Sequence, residues 1–227
     1  TVSLLNSSAN NAFAIPGGYV YITRQLLALM NDEAELASVM GHEVGHVAAR
    51  HSRARSQTSA IGGLLAGVVG AVAGNSTLGS LIGRGAGLAA QAVTLKFSRS
   101  QEFQADDLGV TYLSRGGYDP LASASMLYSL AAQGTLDARL SGQRSETPGW
   151  ASTHPDPASR VARAVQSARA TGKQSGLRNR ETFLAAIDGM VYGDDPKQGV
   201  VDGTVFRHPV LRVMFTAPEG YAIANGS

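Results

Sequence analysis

Cysteine is missing from all 227 residues, which excludes disulfides and thiolate-held metals while leaving the compartment open. Charge is sparse as well: Asp, Glu, Lys and Arg make up 16% of the chain, and the net charge is +2. The pI of 9.0 comes from scattered arginines. No lysine-rich run or basic-aromatic stripe is present, so nucleic acid is not expected as a partner. Hydrophobic runs stay short. Residues 56–83 carry no charge, yet their apolar stretch, residues 61–73, is too short for a bilayer core of about 30 Å and is broken by Gly74-Asn75-Ser76-Thr77. Thr1-Val2-Ser3 lacks the basic start of a secretion signal, so the chain reads as a mature or trimmed form. What is present is a hydrophobic content of 44%, ample for a core, in a length that suits one sizeable domain with an appendage.

The most informative residues are His42-Glu43-Val44-Gly45-His46. Two histidines four apart on a helix lie one turn apart on one face, about 6 Å between Cα atoms. Both imidazoles can then reach a single tetrahedral zinc. Glu43 stands beside them, where a carboxylate can take a proton from a zinc-bound water. Chance puts this pattern in about one of 300 chains of this composition. The surroundings predict a helix. Asp32 offers an N-cap with Glu35 three residues on, and acids fill the first turn. Leu36, Val39, Met40, Val44, Val47 and Ala48 recur at helical spacing, which predicts a buried apolar stripe. Gly41 and Gly45 each cost about 1 kcal/mol in a helix, so something is expected to pack close to that backbone. His51 falls about 140° round from His46 on a continuing helix and reads as a surface histidine among Arg50, Arg53 and Arg55.

A catalytic zinc needs a third protein ligand and an open position. Glu102 is the candidate, at the start of a second helical pattern that ends at Arg115-Gly116-Gly117. Asp106 lies one turn on and suits a hydrogen bond to the far nitrogen of a zinc histidine. A third histidine, His154, precedes Pro155 in what reads as extended loop ahead of an arginine- and alanine-rich helix at 158–170. Near a metal it would donate to a developing oxyanion or fill the fourth zinc position of a resting enzyme.

The motifs H-E-V-G-H, E-F-Q-A-D at 102–106 and Ser152-Thr153-His154-Pro155, with the opening segment at 11–22, resemble the zinc metallopeptidases of the HtpX-type heat-shock proteases and CAAX prenyl endopeptidases. The layout is nearest to the soluble bacterial periplasmic members, which act in outer-membrane protein quality control. The resemblance covers residues 11 to about 165. It implies a zinc-dependent endopeptidase acting on protein substrates, with misfolded or misassembled envelope proteins as the expected ones. It implies one Zn2+ per chain on His42, His46 and Glu102, Glu43 as general base, and His154 and Arg160 as further members of the site. A periplasmic or membrane-associated location is implied too. No clear membrane spans flank the motif, unlike in the HtpX and prenyl-endopeptidase branches. The alternative is a latent, chaperone-like binding protein whose zinc is capped by His154.

The expected fold is α+β: a mainly helical zincin-type (gluzincin) catalytic domain at 1–172 with a small β-hairpin or sheet, then a short α+β C-terminal extension at 173–227. Ala12-Phe13-Ala14-Ile15 and Tyr19-Val20-Tyr21-Ile22 flank Pro16-Gly17-Gly18, a hairpin signal, and its edge could hold a peptide by main-chain pairing. Residues 56–93 read as a glycine-rich helical hairpin that covers the active site or touches a hydrophobic partner, with a membrane-dipping element or plain core as alternatives. Gly85-Ala86-Gly87-Leu88-Ala89-Ala90 fits a dinucleotide fingerprint formally, but no strand precedes it. In the extension, a short helix over 182–190 precedes two strands, Val200 to Phe206 and Leu211 to Phe215, around a structural His208.

Overall fold

The computed structural model describes residues 1–15, 17–51, 97–141, 153, 154, 156–193 and 195–223. The predicted glycine-rich hairpin, together with Arg53, Arg55, Ser152 and Pro155, lies outside the described residues. The architecture is α+β. Three short strands, β1 (Val2–Leu5), β2 (Ala12–Ile15) and β3 (Tyr19–Thr23), form a sheet in the order β1-β3-β2. β2 pairs antiparallel with β3, the predicted hairpin, and β1 adds a parallel partner on the other edge. Gly17 and Gly18 both take positive φ in the turn, a conformation that favours glycine. Phe13 stacks on its cross-strand neighbour Tyr21 at 4.9 Å, fixing the register. Thr23 ends β3 and caps α1 (Arg24–Ala28), its hydroxyl accepting from Leu26 N, so the sheet feeds directly into the helices.

α2 (Glu33–Ala48) carries the H-E-x-x-H motif. Asp32 caps it as predicted, accepting from Glu35 N at 2.9 Å. The reciprocal half of the expected box is shifted by one residue: the Glu35 carboxylate accepts from Asn31 N at 2.8 Å and from Ser125 Oγ at 2.6 Å. α3 (Arg99–Arg115) opens on a capping box between Ser98 and Gln101 and closes at Gly116, as the glycine pair predicts. α4 (Ala122–Ser141), α5 (Pro157–Ala170) and α6 (Arg180–Ile187) follow, and then a 3-10 turn at Pro196–Gln198. The core joins Ala12 and Ile22 of the sheet to Leu26, Met30 and Val39, then to Met126, Leu127 and Leu130 of α4, Ala164 of α5 and Phe183 of α6.

The apolar stripe predicted for α2 is wrong in part. Val39 is buried, but Val44 is 41% exposed and Ala48 is exposed. The buried face instead carries Glu35, Ser38, Gly41, His42, Glu43, Gly45 and His46. Polar groups occupy it because α3, α4 and α5 bring partners for them.

The C-terminal residues form a second sheet, β4 (Val200–Asp202), β5 (Val205–His208) and β6 (Val213–Thr216), in antiparallel order β4-β5-β6. The run read as one strand, Val200 to Phe206, turns at Gly203 and Thr204 into two. No helix among the described residues is long and apolar enough to cross a membrane.

Candidate metal centre

The two glycines of α2 explain how its polar face finds partners. A Cβ on Gly41 would meet the Gly109 backbone at 3.3 Å, and one on Gly45 would meet Ala105 O at 3.0 Å. On the opposite helix, a Cβ on Gly109 would lie 3.1 Å from His42 N. Backbone therefore lies against backbone where α2 crosses α3, which is the close packing that two glycines in a helix predict. At that separation short side chains bridge the gap. His42 and His46 project from one turn of α2, and Glu102 and Asp106 from one turn of α3.

The predicted residues come together. His42 Nε2 lies 3.0 Å from His46 Nε2 and 3.2 Å from His154 Nδ1. Glu102 Oε1 lies 3.1 Å from His154 Nδ1 and 3.4 Å from His46 Nε2. One donor atom from each of His42, His46, Glu102 and His154 falls within 4.8 Å of every other. Glu43 Oε1 sits beside the group, 3.4 Å from His154 Nε2. All five side chains are buried.

Around them stands a set of orienting contacts. Asp106 Oδ1 accepts from His42 Nδ1 at 2.9 Å, as predicted from the one-turn spacing. Arg160 reaches in from α5, 1% exposed, and grips Asp106 with two donors, Nε to Oδ2 at 2.8 Å and Nη2 to Oδ1 at 2.6 Å. Its remaining nitrogen, Nη1, lies 2.5 Å from Glu102 Oε2. One guanidinium thus balances Glu102 and Asp106 of α3, the planar fork geometry for which arginine is suited. Asp107, the next acid, turns away to Arg163 and Ser167, each at 2.6 Å.

The electrostatics follow from these contacts. Burial pushes the His46 imidazole down to about 3, with His42 and His154 adding to the effect and Glu102 opposing it, so His46 is neutral at pH 7. Burial alone would raise Glu102, but its interactions with His154, His46 and His42 outweigh it and hold the carboxyl well below its usual range. Asp106 is likewise pushed up by burial and more strongly down by Arg160 and His42. The result is a neutral His46 imidazole beside an ionised Glu102 carboxylate. With its Nδ1–H given to Asp106, His42 offers a lone pair from Nε2 to the same point as His46, Glu102 and His154. Converging lone pairs and a buried carboxylate are the donor chemistry that a divalent cation needs.

Sequence reasoning missed three residues: His51, its partner Gln104, and Phe97. His51 is no surface histidine: it is 4% exposed, with Nδ1 2.8 Å from His46 Nδ1 and Nε2 3.0 Å from Gln104 Oε1. The 140° phase assumed a continuing helix, whereas α2 ends at Ala48 and Arg50 takes φ 58, turning the chain back towards the site. Nothing in Ala48-Ala49-Arg50 marks that turn, since glycine or asparagine is absent. The third is Phe97, which stacks on His46 at 3.9 Å and donates its backbone N–H to Thr153 O at 3.0 Å, tying the His154 loop to the start of α3. A cavity of about 590 Å³ lined by Asp107, Thr111, Ser114, Arg163 and Ser167 includes no member of the cluster.

Comparison with known proteins agrees with this geometry. The chain is 35% identical over 193 residues to the beta-barrel assembly-enhancing protease of Escherichia coli K12, covering 80% of this chain and 37% of that one. It is 32% identical over 133 residues to the mitochondrial metalloendopeptidase OMA1 of Arabidopsis thaliana, covering 59% and 26%. To the metalloprotease YcaL of E. coli K12 it is 30% identical over 165 residues, covering 72% and 59%. The chain thus spans little more than a third of the first of these relatives. The sequence pattern of peptidase family M48 matches residues 1–168, and the chain belongs to that family.

Proposed function

We propose that this chain is the catalytic part of a zinc-dependent endopeptidase in which His42, His46 and Glu102 hold the metal and Glu43 is the general base. The observation that carries the proposal is the convergence of the H-E-x-x-H imidazoles with Glu102 and His154 on one point. A tetrahedral ion with ligand bonds of about 2.0–2.1 Å has donor-to-donor edges of about 3.3–3.4 Å. The separations of 3.0, 3.1, 3.2 and 3.4 Å in the cluster suit such an ion. A bound zinc supplies a Lewis acid that acidifies water and polarises the scissile carbonyl. The protein's own groups do the rest. Glu43 takes a proton from the attacking water and returns it to the leaving amine. Asp106 holds His42 in its ligating tautomer. Arg160 keeps Asp106 ionised and holds Asp106 and Glu102 in place, a positioning role.

His154 Nδ1 stands at the fourth corner, 3.2 Å from His42 Nε2. Four protein donors make a closed site, whereas a catalytic one keeps a position open. We therefore propose that this is a resting arrangement and that His154 must withdraw for hydrolysis. The same observation favours the second reading, a latent chaperone-like binding protein with its metal capped. Substrates are proposed to be misfolded or misassembled envelope proteins, and the location the periplasm or its membranes, on the strength of the names of the beta-barrel assembly-enhancing relatives. β2 is an edge strand packed near α2, suited to hold an extended substrate by main-chain pairing. Residues 1–172 form the proposed catalytic domain. Residues 173–227 are an extension whose Arg178 binds Asp32 and Asp119 and whose Phe183 enters the core.

Cleavage of casein or an unfolded protein tests the proposal. Zinc-loaded chain should cleave, and Glu43→Gln should keep the metal and lose hydrolysis. Hydrolysis by Glu43→Gln at the unmodified rate would remove Glu43 from the mechanism. A zinc-loaded chain that binds unfolded protein without cutting it, even as His154→Ala, would favour the chaperone-like reading.

A further inference from the structure

The two histidines of the motif are oriented by different means, and the one on His46 has no obvious sequence signature. Gln104 Oε1 lies 3.0 Å from His51 Nε2. An amide oxygen only accepts, so His51 Nε2 carries the proton and donates it. A neutral imidazole has a single N–H, which leaves His51 Nδ1 as an acceptor. The 2.8 Å contact between His51 Nδ1 and His46 Nδ1 then requires the proton to sit on His46 Nδ1. His46 Nε2 is left as a lone pair, 3.0 Å from His42 Nε2 and 3.4 Å from Glu102 Oε1, facing into the cluster.

We infer that His51 and Gln104 are positioning residues that lock His46 into its metal-ligating tautomer through a chain of neutral hydrogen bonds, His46 Nδ1–H to His51 Nδ1 and His51 Nε2–H to Gln104 Oε1. The inference rests on the metal-centre reading of the same cluster and adds what holds its second histidine. The chain of contacts is enclosed: His51 is 4% exposed, and the Phe97 ring packs against both imidazoles, at 3.9 Å from His46 and 6.2 Å from His51.

The arrangement makes the two motif histidines unequal. His42 is backed by an ionised carboxylate that Arg160 holds in turn. His46 is backed by an imidazole and then by the amide of Gln104, a residue exposed on α3. A carboxylate raises the basicity of a ligating imidazole more than a neutral acceptor does. Loss of the relay should therefore weaken the metal less than loss of Asp106.

The test combines chelator competition for zinc with nitrogen-15 NMR of the histidine side chains, both on the full chain. NMR of the zinc-loaded protein should find the His46 proton on Nδ1 and the His51 proton on Nε2. His51→Leu should weaken zinc binding about 10-fold, the low end of the range for such partners and less than Asp106→Ala. His51→Asn, whose Oδ1 stands near the lost Nδ1 and accepts the same bond, should restore most of that affinity. Gln104→Leu sits on the surface and leaves the fold unstrained, so a loss of affinity there cannot be blamed on unfolding. A proton on His46 Nε2, a doubly protonated His51, or a His51→Asn variant as weak as His51→Leu would each overturn the inference. So would zinc affinity unchanged, within about two-fold, in both His51→Leu and Gln104→Leu. If the unmodified chain takes up no zinc at all, the metal-centre reading itself falls. If it takes up zinc and the variants are indifferent, only the relay falls.

Discussion

Replacing Asp106 by alanine should damage the protein in two separable ways. Asp106 is 4% exposed and Arg160 1%, and they meet through contacts of 2.6 and 2.8 Å. Removing one partner of a buried pair costs about 3–5 kcal/mol, because the other charge is left uncompensated. Here Glu102 stays 2.5 Å from Arg160 Nη1, so the lower end, about 3 kcal/mol, applies. In a chain of this size each kcal/mol shifts Tm by about 2–4 °C, which gives a fall of about 6–12 °C. The second effect is on the metal. His42 Nδ1 loses its acceptor at 2.9 Å, and zinc affinity should drop about 10- to 100-fold. Asp107→Ala is the control. Its partner Arg163 is 44% exposed and Asp107 itself 40%, and a surface pair of this kind contributes about 0.2–1 kcal/mol. Its Tm should move by less than about 4 °C with metal binding intact. Asp106→Asn keeps an oxygen for His42 and should hold the metal better than alanine does. Thermal melts and chelator competition on the three variants decide the matter. Equal effects at 106 and 107, or zinc binding by Asp106→Ala at the unmodified strength, would refute the assigned helix phase.

Two further outcomes follow from the same geometry. His154→Ala should raise basal cleavage of an unfolded protein, because it opens the fourth corner to water; a fall of about 10²-fold in turnover with substrate binding little altered would instead assign His154 to the oxyanion. Gly45→Ala should lower stability and metal affinity together, since its Cβ would meet Ala105 O at 3.0 Å. Overpacking of that kind costs about 1–3 kcal/mol, against a helix-propensity gain of about 1 kcal/mol; a melt showing a more stable protein would refute the close-packing argument.

The local signals that proved readable are those set by short-range chemistry. Asp32 as a cap, the hairpin around Gly17-Gly18 and the stop at Gly116 depend on a few adjacent residues, and each is found where expected. The meeting of His42 with Asp106 was legible because both one-turn spacings were, and because the glycines of α2 announced a close neighbour. Three features were not legible. The apolar stripe of α2 failed because periodicity ranks side chains by hydrophobicity, whereas Arg160, Asp106 and Ser125 supply partners from distant segments that let a polar face be buried. His51 was misplaced because a left-handed residue at Arg50 breaks the helix phase without a glycine. The parallel pairing of β1 with β3 joins residues far apart in sequence, with no turn chemistry to mark it.

The claim at the centre of this structure is that four side chains converge on one zinc. X-ray absorption at the zinc edge, on the purified chain loaded with one equivalent of metal, tests it most directly. Three imidazole nitrogens at about 2.0–2.1 Å and one carboxylate oxygen are expected, falling to two imidazoles in His154→Ala. An unmodified chain that retains no zinc, or whose zinc keeps its imidazole count when His42 or His46 is replaced, would contradict it.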